Sequence, residues 1–292
     1  MTTRLPRFLT YSLAATLPAM GLAIGLGSAA GASTTTTASA PAASQATAAR
    51  AAAKAAIEHL VIGQHSANHH VSGYARRGGS GQTDVESTNW SGYADTGSNF
   101  SKVSSSWTEP TPSCSGGQEA LAAFWVGIDG YSSDSVEQDG TLIECYGGTA
   151  YQYTWWELYP TNDIQVVGES VAAGDKITAS VVRSGDSYTM AVTDSTHTAD
   201  SFSTTQTSAG DADSSAEWIA EAPSGSSGVY PLAKFSTWTA NSDAVTEGST
   251  SGTISSFTDD QITMITSSGA TEATPSALNS GGNSFSVTWD RS

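Results

Sequence analysis

The chain has 292 residues, enough for one large domain or two small ones, with 28 acidic residues against 11 Lys and Arg and a formal net charge of −17. Charge this negative argues against nucleic acid or anionic membranes as partners of the folded protein. The imbalance is also uneven: Arg4, Arg7, Arg50, Lys54, Arg76 and Arg77 precede residue 84 with only Glu58 against them, whereas 27 acids and 5 bases follow, a net of −22.

Residues 1–32 carry Arg4 and Arg7, an apolar run from Phe8 to about Leu26, and Ala30-Gly31-Ala32. That layout predicts a secretory signal peptide and an extracellular destination; a retained membrane anchor is the alternative. Residues 33–83 are expected to be a propeptide or plain linker, largely disordered, because Ala, Ser and Thr dominate and aromatics are nearly absent. Within them, 49–60 could form a short helix, and Arg76-Arg77-Gly78-Gly79 reads as an exposed linker. The basic residues of this leader could shield an acidic cleft until its removal.

Residues 84–292 read as a single all-β domain. Val, Ile and aromatic residues recur with period two, and turn residues interrupt every eight to twelve positions. Ile177-Ala179-Val181 and Tyr188-Met190-Val192 flank Ser184-Gly185-Asp186 as a hairpin, and Phe285-Val287-Trp289 alternates near the C-terminus. Such strands fit one large sandwich or barrel. In an exported chain Cys114 and Cys145 are expected to pair, which would contribute roughly 3–4 kcal/mol in the chain-entropy model; two free buried thiols are the alternative.

Parity assigns faces in three strands. Phe124, Val126 and Ile128 oppose Trp125, Gly127 and Asp129; Trp156 and Leu158 oppose Tyr153, Trp155, Glu157 and Tyr159; Trp218 and Ala220 oppose Glu217, Ile219 and Glu221. Each second set mixes acids with apolar groups, and two of them carry large aromatics. A solvent-facing surface of that kind suits an extended ligand.

Elimination narrows the chemistry. Of five histidines only His197 follows residue 83, in a polar stretch that reads as an exposed turn. There is no H-E-x-x-H, no Cys/His cluster of zinc spacing, no P-loop and no G-x-G-x-x-G. No metal or organic cofactor is expected. An enzyme built on these residues would use a carboxylate as general base, and a side-chain amide could stabilise an oxyanion without titrating.

Asn89-Trp90-Ser91-Gly92-Tyr93, Trp125-Val126-Gly127-Ile128-Asp129-Gly130, Gln138-Asp139-Gly140, Trp155-Trp156-Glu157-Leu158-Tyr159-Pro160 and Ala216-Glu217-Trp218-Ile219-Ala220-Glu221 occur in this order. Together they resemble the glutamic peptidases, the eqolisins of fungi and their bacterial relatives, over roughly residues 86–290. The resemblance implies a concanavalin-like sandwich of two curved antiparallel sheets with the site on the concave one. It further implies catalysis by Gln138 and Glu221, with Trp125, Asp129, Trp155, Glu157 and Tyr159 along the substrate cleft. The substrates would be proteins or peptides cleaved in acid, and the negative charge suggests a monomer.

Several assignments stay open. Glu217 shares the face of Glu221, Glu157 could be catalytic or merely line the cleft, and Asp129 could simply begin a hairpin at Gly130. The loop from Asp129 to Gln138 is one residue shorter than in the fungal pattern, and the cysteines are placed differently. The competing functions are a sandwich glycoside hydrolase using Glu157 and Glu221, and a lectin-like module using the aromatic face alone.

Overall fold

The structure, a computed structural model, describes residues 39–58, 60, 76–77 and 83–292; the expected signal segment 1–32 and much of the expected leader lie outside the described residues. Residues 43–292 form one compact unit. A helix, α1 (Ser39–Ile57), comes first. Alanine, the strongest helix former, dominates it, and Pro41 falls in the first turn where its missing N–H costs nothing. It starts ten residues before the expected 49. Arg76–Arg77, expected as exposed linker, instead forms a short strand, β1, paired with Thr83–Asp84.

The strands that follow are β2 (Thr83–Ser87), β3 (Trp90–Thr96), β4 (Phe100–Thr108), β5 (Ala120–Asp129), β6 (Val136–Tyr146) and β7 (Thr149–Tyr159). Next come β8 (Asn162–Gly168), β9 (Lys176–Ser184), β10 (Ser187–Asp194), β11 (Phe202–Thr207) and β12 (Ser215–Glu221). The last are β13 (Ser224–Gly225), β14 (Gly228–Val229), β15 (Trp238–Glu247), β16 (Thr250–Gly252), β17 (Thr258–Ile265), β18 (Thr271–Pro275) and β19 (Ser284–Trp289). The expected hairpin is β9–β10, closed by Gly185-Asp186 with Ser184 opposite Ser187.

Pairing traces two layers. One runs β8–β7–β6–β5–β12–β3–β17–β2, antiparallel except for β17–β2. The other runs β11–β10–β9–β4–β15–β19, antiparallel throughout. β18 bonds to both β17 and β19 and so joins the layers at one edge. This is an all-β sandwich, as the resemblance implied and one of the two forms that the alternation allowed.

The core between the layers takes Phe124, Val126, Ile128 and Trp218 from the first, and Val103, Val181, Met190, Trp238 and Val287 from the second. Those of β5 and β12 are the residues that parity assigned to the inner face. A second apolar cluster lies on the opposite face of the first layer. It contains Trp90, Leu121, Trp125, Leu142, Tyr153, Trp155 and Ile219, and also Ala53, Ile57 and Leu60 from α1 and its end.

Acids penetrate the sandwich. Glu137 and Asp139 on β6, Asp95 on β3, Glu109 after β4 and Asp243 on β15 are all buried. Burial raises every one of them, Glu109 to about 7, Asp243 to about 8, Asp95 to about 9, Glu137 to about 10, and Asp139 well above its usual value. Glu109 also accepts from Trp107 Nε1, Thr141 Oγ1 and Gln152 Nε2 at 3.1, 2.7 and 2.9 Å. A Cys114–Cys145 disulfide ties the segment before β5 to the end of β6.

Candidate active site

The outer face of the first layer is built in rows by strand register. Glu217, Gly127, Gln138 and Glu157 stand side by side across β12, β5, β6 and β7. Ile219, Trp125, Gly140 and Trp155 form the next row, and Glu221, Ala123, Leu142 and Tyr153 the one after. Gly140 is required between the two tryptophans. A Cβ there would lie 2.0 Å from the Phe124 carbonyl oxygen and 2.8 Å from Trp125 Cα, so the main chains of β5 and β6 approach closer than any side chain permits.

Glu221 ends β12, fully buried. Trp125 Nε1 donates to its Oε2 at 3.0 Å, and Asn89 Nδ2 donates to its Oε1 at 3.3 Å. Trp125 is held in turn by an edge-on contact with Trp90, with ring centroids 4.9 Å apart. Asn89 is fixed through Ser87, whose hydroxyl donates to Asn89 Oδ1 and accepts from the Asn89 and Trp90 backbone N–H groups. Each carboxylate oxygen thus meets a neutral donor from a different strand or turn.

Gln138, two strands away, donates from Nε2 to Glu157 Oε2 at 2.7 Å, and both are buried. An amide nitrogen carries two hydrogens, so this bond uses one and sets the plane in which the other points. Gln138 and Glu221 occupy the same face of one layer, two rows apart. On a flat sheet their Cα positions would differ by about 13 Å along the strands and about 10 Å across them; twist and curvature change this, and two long side chains reach inward from it.

The other expected residues divide. Trp155 lies buried in the middle row, and Tyr159 ends β7 half-buried, opposite Val136. Asp129 is buried and occupied elsewhere: Oδ2 accepts from the Asp213 N–H at 2.7 Å, and Oδ1 from the Ser214 N–H and hydroxyl at 2.8 and 3.0 Å. It anchors the chain entering β12 and precedes Gly130, whose φ is +98°, a placement that fits the hairpin-start role left open beside substrate contact. Glu217 is buried and raised well above the usual carboxylate range, first by desolvation and then by Asp129, Glu137 and Asp95. It is therefore protonated in acid, unlike a group poised to accept a proton.

His197 has a half-exposed ring bonded to Asp175 Oδ2 at 2.9 Å, consistent with a turn residue. The face itself is not open to solvent as expected, since Trp125, Tyr153 and Trp155 are fully buried and α1 residues pack into their cluster. Asn89 was legible only as part of a motif; its bond to Glu221 spans 132 positions and has no local signal.

Residues 88–289 match the peptidase A4 family. Scytalidopepsin B of Scytalidium lignicola is 38% identical over 106 residues, which cover 36% of this chain and 38% of that protein. Aspergillopepsin-2 of Aspergillus niger is 28% identical over 197 residues, covering 59% of this chain and 70% of that protein. The matched segment thus spans well under half of the first relative and about two thirds of the second.

Among solved structures, scytalido-glutamic peptidase with a transition state analog inhibitor superposes with a TM-score of 0.59 at 25% identity, over 70% of this chain and 98% of that one. An eqolisin in complex with the tripeptide Ala-Ile-His gives 0.55 at 26% identity, with the same coverage. No helix among the described residues is long and apolar enough to cross a membrane. With the family match spanning most of the β-domain, the chain belongs to the peptidase A4 family, the glutamic peptidases.

Proposed function

We propose that this protein is a secreted endopeptidase that hydrolyses peptide bonds in acid, with Glu221 as general base and Gln138 as the oxyanion donor. The observation that carries this reading is the Trp125 indole on the Glu221 carboxylate, on the face that also presents the Gln138 amide. Glu221 takes a proton from a water, and the resulting hydroxide adds to the scissile carbonyl carbon. The second N–H of the Gln138 amide donates to the oxygen that becomes negative. The C–N bond then breaks as Glu221 returns its proton to the departing nitrogen, leaving a carboxyl and an amine. Glu157 orients the amide without touching the substrate.

The substrate is read as an extended peptide lying across the tryptophan row, in keeping with the tripeptide and transition-state analogues held by the solved relatives. Residues 1–32 act as the export signal and 33–83 as a leader removed on maturation, and the mature form works as a monomer.

The test is cleavage of denatured protein between about pH 3 and 4. Glu221→Gln should lower kcat by roughly 10³-fold or more, and Gln138→Ala by roughly 10²–10³-fold. Robust cleavage surviving in either variant would remove the assignment. An aspartic-protease inhibitor should have no effect.

A further inference from the structure

The loop 130–135 between β5 and β6 is made of small and polar residues apart from Tyr131. The Tyr131 ring is half-buried against the apolar cluster that holds Trp90, Trp125 and Trp155. Its hydroxyl donates to Asp260 Oδ2 at 2.6 Å. Asp260 lies on β17, and register carries it through Ala94, Glu217 and Gly127 into the row of Gln138 and Glu157. Three strand spacings, about 14 Å, separate β5 from β17. The loop and its tyrosine therefore reach across β12 and β3 on the outer face.

This latch bears on Trp90. A Cβ on Gly130 would lie 3.6 Å from Trp90 Cη2, so the main chain of the loop rests against the edge of that indole. Trp90 meets Trp125 edge-on at 4.9 Å, and Trp125 Nε1 donates to Glu221 Oε2 at 3.0 Å. Within the loop, the Gly130 N–H donates to Ser133 Oγ and the Ser133 hydroxyl to the Ser135 carbonyl, which makes the loop one braced piece. Fixing Tyr131 thus fixes Gly130.

We infer that Tyr131 is a positioning residue for the proposed base: bonded to Asp260, it holds the loop against Trp90 and thereby sets, through Trp125, the orientation of the Glu221 carboxylate. The catalytic part of this rests on the function proposed above. A phenol suits the task in acid. Burial, and after it the Asp260 bond, raises the Tyr131 hydroxyl above its ordinary pKa, so it stays a donor. A carboxyl keeps an acceptor oxygen in either protonation state, so the latch needs no charge and an amide at position 260 would serve as well.

Two readouts test this, one of them independent of turnover. In the full chain at neutral pH, the Nε1–H resonance of Trp125 should shift in Tyr131→Phe and in Asp260→Ala. That of Trp238, in the core between the layers, should not move. Asp260→Asn keeps an acceptor and should return the Trp125 resonance to its original position. In the acid-treated enzyme, Tyr131→Phe and Asp260→Ala should lower kcat roughly 3- to 10-fold, the worth of one hydrogen bond, with KM changed less than about twofold. Asp260→Asn should stay within about twofold of the parent. Without the Trp125 N–H the latch has nothing to aim, so Tyr131→Phe added to Trp125→Phe should cost no more than Trp125→Phe alone.

An unmoved Trp125 resonance in Tyr131→Phe would overturn the latch. A shifted resonance with kcat intact, or losses that simply add in the double variant, would overturn the positioning role. A shifted resonance with no peptidase activity in any form would leave the coupling of Tyr131 to Trp125 standing and count against the proposed function alone.

Discussion

Trp125 joins two requirements in one side chain: its ring packs against Trp90, and its N–H reaches the Glu221 carboxylate. Trp125→Phe keeps most of the apolar bulk and removes the donor. Since an N–H aimed at a carboxylate favours its ionised form, the variant should lose roughly 10-fold or more in kcat with little change in KM. The acidic limb of its rate profile should move to higher pH. A profile unchanged in shape would mean that the indole N–H has no part in setting the base.

At this scale the sequence was informative wherever an alternating strand decided the outcome. Parity alone put Trp125, Glu157 and Glu221 on the outer face and Phe124, Trp156 and Trp218 on the inner one, because a pleat leaves each side chain only two directions. It could not tell Asp129 from a cleft residue. That distinction depends on the Asp213 and Ser214 N–H groups, more than eighty positions away. Glu217 and Glu221 were likewise equivalent by parity; burial among other acids separates the first, and two neutral donors mark the second.

Elements add register, which no local pattern encodes. Gly140 shows what register imposes, since it sits where β5 and β6 bring Trp125 and Trp155 into one row. Gly140→Ala would force a methyl into the β5 backbone, and it should destabilise the protein by more than about 2 kcal/mol. For a domain of this size that lowers Tm by roughly 4 °C or more. Gly117→Ala is the control: nothing lies within 4 Å of the added carbon, and stability should change by less than about 0.5 kcal/mol. Equal Tm values would show that the strands can separate here without loss.

The same limit explains α1. Its first ten residues have alanine's propensity but no apolar period. The binary pattern therefore pointed only to the 49–60 stretch, where Ala53, Ile57 and Leu60 meet the sheet. A segment too poor in apolar groups to fold alone was still able to fold against a surface, which composition by itself does not reveal.

The whole molecule carries its acidity inside as well as outside. Asp95, Glu109, Glu137, Asp139 and Asp243 are buried and raised chiefly by desolvation, so the folded state keeps protons that the unfolded chain releases above about pH 4. Folding stability is therefore complete below that point and falls as pH climbs towards the folded values, about 7 for Glu109, 8 for Asp243, 9 for Asp95 and 10 for Glu137. Each such group costs on the order of 1 kcal/mol per pH unit across its window. Repulsion among the acids that remain at the surface acts in the same direction.

Thermal unfolding followed from pH 3 to pH 8 should accordingly give its highest Tm near pH 3–4 and a continuous fall above pH 5, the reverse of most globular proteins. Salt separates the two causes. It screens exposed charges but reaches buried ones weakly, so 1 M NaCl should recover only part of the loss at pH 7. Replacing Glu137 and Asp243 with Gln and Asn should flatten the slope with salt absent. A Tm that rises from pH 4 to pH 7 would mean that these carboxyls ionise in place, and that the sandwich is not adapted to acid.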